Sequence, residues 1–100
     1  MNKPSNEDVR VSIVTATFNS EKTIIQTYHS LCSQTHDNWE WLVTDDCSND
    51  NTVKVLEKLV EKDCRIKLFR NKINSGAAVS RNNSLFHVSG DYIAFIDSDD

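Results

Sequence analysis

A chain of 100 residues with 38% apolar and 8% aromatic side chains is the size of one small domain, or of part of a larger one, with a modest core. Its formal charge of −4, from 15 acidic against 11 basic residues, excludes a nucleic-acid binder, because no basic stripe exists. Lys and Arg do recur between 58 and 72, but Glu57, Glu61 and Asp63 interleave with them, as on a solvated helix face.

The opening "MNKPSNED" (1–8) is polar, lacks the apolar centre of a signal peptide, and reads as a disordered leader. "VRVSIVT" (9–15) is β-branched and predicts a first strand that ends at "ATFNS". Ser20 is placed to cap a helix running to about Gln34, with Ile24, Ile25, Tyr28, Leu31 and Cys32 on one face. "WEWLVTD" (39–45) is the second strand, Trp39 and Trp41 serving as core and edge packing. Ser48 or Asp50 then caps a helix that buries Val53, Leu56, Leu59 and Val60 and runs to about Lys62.

"RIKLFRN" (65–71) alternates and is the third strand, with too few apolar residues for a sheet centre. After "KINSG", a third helix over about 77–88 offers Ala78, Leu85 and Val88 to the sheet, and "YIAFI" is a fourth, buried strand. The order β-α-β-α-β-α-β calls for an open, mostly parallel Rossmann-like sheet with right-handed crossovers and helices on both faces. In such sheets ligands gather outside the carboxyl ends of the strands, at a switch in strand order. Each strand here is followed by a polar cluster: "TFNS", "DDCSND", "NKINSG" and "DSDD". Four loops are therefore expected to furnish one crevice.

Three constellations carry chemistry, each with a plainer reading beside it. Asp45 and Asp46 stand together at a strand tip, where they either cap the following helix or accept hydrogen bonds from a ligand. Asp97, Asp99 and Asp100 are either an acidic loop or ligands of a hard cation, Mg²⁺ or Mn²⁺, that also binds phosphate oxygens. In "NSGAAVSRNNS" (74–84), Gly76 permits a sharp helix entry and Arg81 is either an ordinary surface side chain or a phosphate partner. With two glycines in the chain, neither a dinucleotide fingerprint nor a Walker loop is present. His29, His36 and His87 lack zinc spacing, and Cys32, Cys47 and Cys64 form no C-x-x-C pair, which favours a reducing, cytoplasmic setting.

Taken together, "VSIVTATFNSEKTI", "SLCSQTHDNWEWLVTDDCSNDNT", "NSGAAVSRNNSL" and "GDYIAFIDSDD" resemble the nucleotide-binding half of a family 2 glycosyltransferase, of the A-type inverting class, from about Val9 to Asp100. The resemblance implies that Phe18 lies against the nucleobase and that Asp46 hydrogen-bonds the base edge with Asp45 close by. It places Arg81 near the base or diphosphate, Asp97 on the ribose, and Asp99 on the metal as in the family's D-x-D motif. Ala16 and Gly76 complete the implied nucleotide contacts. The implied donor is a nucleotide-sugar, of UDP type, and the acceptor a glycan or lipid-linked sugar, as in cell-surface polysaccharide biosynthesis. The longer parent would then be cytoplasmic with peripheral membrane association. Two positions depart from the family pattern: Phe18 stands where Tyr is usual, and Cys47 where Gly is common.

The family's acceptor region and catalytic base follow the D-x-D motif, so residues 9–100 are expected to be a truncated donor half, without a base and inactive alone. Two alternatives remain. A non-catalytic nucleotide-binding module would share the same site. An Mg-dependent aspartate phosphatase or receiver-like domain would place its acidic pair after the first strand, where this chain has "TATFNS".

Overall fold

The computed structural model describes residues 9–98. The expected leader, 1–8, and the expected cation ligands Asp99 and Asp100 lie outside the described residues. Seven elements follow in order: β1 (Val11–Thr17), α1 (Ile24–Cys32), β2 (Trp39–Asp45), α2 (Thr52–Lys62), β3 (Ile66–Arg70), α3 (Ala77–Leu85) and β4 (Tyr92–Phe95). All pairings are parallel, and the sheet order is β3-β2-β1-β4. The chain thus builds outward from β1 to β3 and then crosses back to the far side of β1. That reversal opens a crevice between the carboxyl ends of β1 and β4.

Strand alternation sorts the sheet into two unlike faces. Ile13, Trp39, Trp41, Val43 and Ile66 pack with Ile24 and Leu31 of α1 and Leu56 and Leu59 of α2 in one apolar core. Within it the Trp41 indole N–H donates to Thr15 Oγ1 at 2.8 Å, and Tyr28 stacks on the Trp41 ring. The other face carries Ser12, Glu40 and Thr44, all buried, and is covered by α3.

Several expectations need correction. Helix α1 starts at Ile24, not after Ser20, whose backbone carbonyl accepts the first N–H groups while its hydroxyl turns toward Ser98. Ile25 and Cys32 are exposed, and Thr27 takes a buried place on that face. Val53 is only half-buried, and Val55 packs against the core with Val60. Ser48 caps no helix, although Asp50 Oδ1 does accept the Thr52 N–H at 3.0 Å. Helix α3 faces the sheet through Ser80 and Ser84, not Ala78, because the strands beneath it are polar and Ser84 Oγ bonds Thr44 Oγ1 at 2.7 Å.

The largest correction concerns β4. It is an edge strand, paired on one side only to β1, with Tyr92 65% and Phe95 57% exposed. Helix α3 packs on β1 and β2, leaving Tyr92, Ile93 and Phe95 exposed, while Ala94 and Ile96 pack partly against the core. Strand β3, by contrast, occupies the opposite edge as its composition suggests.

The turn into β4 presses on the start of β1. A Cβ added at Gly90 would sit 2.8 Å from both the Arg10 carbonyl and the Ser12 amide nitrogen. Backbone cannot yield as a side-chain tip can, so Gly90→Ala is expected to cost about 1–3 kcal/mol. Urea unfolding of the variant checks this, and an unchanged midpoint would refute the close approach.

Candidate functional site

The crevice at the β1/β4 switch is a cavity of about 500 Å³, within the usual range for small-molecule sites. β1 and its loop contribute Ala16, Thr17, Phe18, Asn19 and Ser20; β2 contributes Asp46; α3 contributes Ala77 and Arg81; the segment after β4 contributes Asp97 and Ser98. A second, more open recess of about 630 Å³ shares Phe18, Asp46 and Ala77 and adds Cys47 and Gly76. All four post-strand loops thus lie at one edge of the sheet.

Hydrogen bonds between loops make this edge rigid. The Asn19 N–H donates to Ser48 Oγ at 2.9 Å, and the Asn49 N–H returns to Asn19 Oδ1 at 2.8 Å. The Ser20 N–H donates to Thr52 Oγ1 at 2.8 Å. Two residues bend in the left-handed region, Asn19 at φ 51° and Cys47 at φ 61°. Asn tolerates that conformation; Cys47 holds it at a cost of about 1–2 kcal/mol that glycine would not incur.

The adjacent aspartates have different fates. Asp45 is 1% exposed and lines neither cavity. Its carboxylate accepts from Thr17 Oγ1 at 2.8 Å and from the Ser48 N–H at 2.9 Å, so it closes the loop after β2 from inside. The structure places Asp45 outside the lining of both cavities.

Asp46 reaches the cavity. Its Oδ1 accepts from Asn71 Nδ2 at 2.9 Å and from the Ser75 N–H at 2.6 Å, and its Oδ2 accepts from the Gly76 N–H at 2.8 Å. Burial alone would raise its pKa, but these donors outweigh burial and hold the carboxyl below the ordinary carboxylate range. Oδ2 carries one hydrogen bond and keeps an acceptor direction for a ligand N–H. Gly76, at φ 94°, adopts a conformation that favours glycine, and its amide is already given to Asp46.

Phe18 is 49% exposed and offers an open ring face. Arg81 is half-buried, and among the described residues its guanidinium has no hydrogen-bond or ion-pair partner. Asp97 presents an exposed carboxylate to the same cavity. Among the described residues no three His, Cys, Asp or Glu side chains converge as a metal site.

Three contributors were not singled out from the sequence. Ser98, 5% exposed, donates to the Ala16 carbonyl at 3.2 Å and bonds Ser20 Oγ at 2.9 Å, fastening the segment after β4 to β1. Asn71 bridges β3 to Asp46. Asn74 Nδ2 donates to the Asp46 carbonyl at 3.0 Å. The only sequence signal for them is an excess of Asn and Ser in post-strand loops, which plain turns share.

The arrangement can hold a flat ring against Phe18, offer an anionic acceptor to a ring N–H, and set a cation beside an anionic group. A family model described as "Glycosyl transferase family 2" matches residues 12–100. The UDP-Glc:alpha-D-GlcNAc-diphosphoundecaprenol beta-1,3-glucosyltransferase WfgD of Escherichia coli is 50% identical over 95 residues, which are 94% of this chain and 36% of WfgD. The chain thus spans about a third of the length of WfgD and similar curated relatives, and about a sixth of longer ones. The crystal structure of S. aureus TarS 1-349 in complex with UDP-GlcNAc matches with a TM-score of 0.83 at 35% identity, over 90% of this chain and 26% of that one. Mannosyltransferase PcManGT from Pyrobaculum calidifontis, in complex with GDP-Man and Mn2+, shares the fold with a TM-score of 0.83 at 24% identity, over 91% of this chain and 28% of that one.

Proposed function

The chain belongs to glycosyl transferase family 2, and from that membership we propose that residues 9–100 form the donor half of an enzyme that moves a sugar from a UDP-sugar to an acceptor hydroxyl with inversion. The observation that carries this reading is the convergence of Phe18, Asp46, Arg81 and Asp97 on one cavity. Phe18 stacks on the base, Asp46 Oδ2 accepts a base N–H, and Arg81 supplies positive charge to the diphosphate or the base. UDP-GlcNAc bound to TarS, whose fold matches at 35% identity, supports the uridine nucleotide.

Asp97 would contact the ribose and Asp99 would hold a divalent cation, Mg²⁺ or Mn²⁺, in keeping with the D-S-D spacing. When bound, such an ion neutralises charge on the leaving diphosphate. This chain's residues orient the donor beside it: Ser98 keeps the acidic segment against β1, and the laced loops keep Phe18 and Asp46 in register. No described residue is assigned as the base that takes the acceptor proton. The acceptor is proposed to be a lipid-linked sugar, the kind of acceptor in the name of WfgD, and the working protein is proposed to act in the cytoplasm at a membrane surface. In the described residues no helix is long and apolar enough to cross a membrane.

Calorimetric titration with UDP tests the reading. Phe18→Ala is expected to lose about 1–3 kcal/mol of base stacking, and Phe18→Tyr to bind like the wild type. No UDP binding by the wild type would overturn the proposal, and full binding by Phe18→Ala would overturn the stacking role.

A further inference from the structure

We infer that Asn71 is a positioning residue for nucleotide recognition, holding the Asp46 carboxylate in the orientation that reads the base. The inference rests on the nucleotide reading above and assigns a role to a side chain outside both cavities. Asn71 follows the last residue of β3, and it spends every polar atom. Its Nδ2 donates to Asp46 Oδ1 at 2.9 Å and to Ser80 Oγ at 2.8 Å, while its Oδ1 accepts from Asn83 Nδ2. Its backbone N–H donates to the Asp45 carbonyl at 2.9 Å, and its own carbonyl accepts from Cys47 Sγ at 3.1 Å. One residue therefore joins the tip of β2 to α3.

The side chain and the backbone do separable jobs. The backbone N–H bond to Asp45 continues the β2–β3 pairing and does not depend on the Asn71 side chain. The amide side chain is the one side-chain donor to the Asp46 carboxylate among the described residues; the others are the loop amides of Ser75 and Gly76. Without it, Oδ1 depends on a loop for its direction, and the acceptor lobe of Oδ2 turns with it. The titratable or charged groups beside Asp46 and Asn71 in the chain or lining the same cavities are Asp45, Cys47, Arg70, Lys72, Arg81 and Asp97, and none of them hydrogen-bonds the Asp46 carboxylate.

Asn71→Asp keeps the shape and removes the donor. Two carboxylates at hydrogen-bond distance cannot both ionise cheaply, so the pair takes up a proton as the pH falls and thereby regains a donor. UDP affinity is to be measured for wild type, Asn71→Asp and Asn71→Ala between about pH 8 and pH 5.5, as a ratio to wild type at each pH. The ratio cancels the nucleotide's own ionisation. Asn71→Asp is expected to bind at least about tenfold more weakly at the alkaline end and to recover toward wild type at the acid end, whereas Asn71→Ala stays weak throughout. The ¹³C titration of the Asp46 carboxyl in unliganded Asn71→Ala should move up toward the ordinary carboxylate range. It reads the same contact without a ligand and serves if Asn71→Asp does not fold. A folded Asn71→Ala that binds within about twofold of wild type, or a folded Asn71→Asp that does so at the alkaline end or whose ratio to wild type does not change with pH, overturns the inference. A wild type that binds no UDP overturns the nucleotide reading itself, and this inference with it.

Discussion

Asp46→Asn is expected to weaken UDP binding by roughly ten- to a hundredfold, the equivalent of about 1.5–3 kcal/mol for a charged hydrogen bond. The carboxylate accepts from Asn71 Nδ2, the Ser75 N–H and the Gly76 N–H. An amide in its place must turn its own NH₂ toward one of these donors, so the start of α3 shifts as the base acceptor is lost. Asp45→Asn gives the contrasting result. Its carboxylate faces Thr17 and Ser48 inside the loop, so the variant should lose stability while UDP affinity falls much less. Calorimetry paired with urea unfolding separates the two. Equal affinity losses, or none for Asp46→Asn, would remove Asp46 from the site. The acid limit has a definite sign: the Asp46 carboxyl in the folded chain titrates below its ordinary range, so its contribution to stability is complete above that range and disappears as pH falls through the lowered value.

Glu40→Ala is expected to cost about 2–5 kcal/mol of folding stability, chiefly from the buried donors it leaves without an acceptor. That is a large part of the 5–15 kcal/mol typical of a whole domain. Glu40 lies between two tryptophans on an inner strand, with its side chain fully buried on the opposite face. Ser12 Oγ donates to it at 2.6 Å, the Ser89 N–H at 2.7 Å, Lys67 Nζ at 3.0 Å and Arg10 at 3.2 Å. Burial works to raise its pKa, but the bonds from Ser12, Ser89 and Lys67 outweigh burial and bring it down to about 2 from an ordinary 4.5. The stability tied to that difference is present above pH 4.5 and is lost as pH falls toward 2. In Glu40→Ala the lysine and arginine re-solvate, but the Ser89 amide and Ser12 hydroxyl lose a buried acceptor. Glu40→Gln keeps one acceptor and should fall between, without the wild type's loss of stability below pH 4.5. Urea unfolding at neutral and acid pH measures both effects; a loss under about 1 kcal/mol for Glu40→Ala would mean that water replaces the clamp.

Glu40 also shows where reading along the chain stops. A glutamate between Trp39 and Trp41 fits simple alternation, apolar inward and charged outward. Here the second face is covered by α3 and by the turn at Ser89, so both sides of β2 are buried. Which donors meet Glu40 depends on residues from 10 to 89 arriving at one place. The same limit applies to Asp45 and Asp46. Side by side in the chain, they are separated by the alternation of the backbone, one sealed under the Ser48 loop and the other set at the cavity wall.

Local patterns settled the element order, the parallel connectivity and the edge of the sheet that carries the polar loops, because periods of two and 3.6 residues and strand-end punctuation act over short distances. They also marked Arg81 and Asp97, since a cation or an acid at a helix entry or a strand end stands out by type, whereas Phe18 was marked only by the family resemblance. The exposure of β4, the serine-lined contact of α3 and the roles of Asn71, Ser98 and Glu40 were decided by the tertiary structure alone. Each depends on contacts between segments that lie far apart along the chain, and the polar residues involved look the same in a turn as in a buried network until their partners arrive.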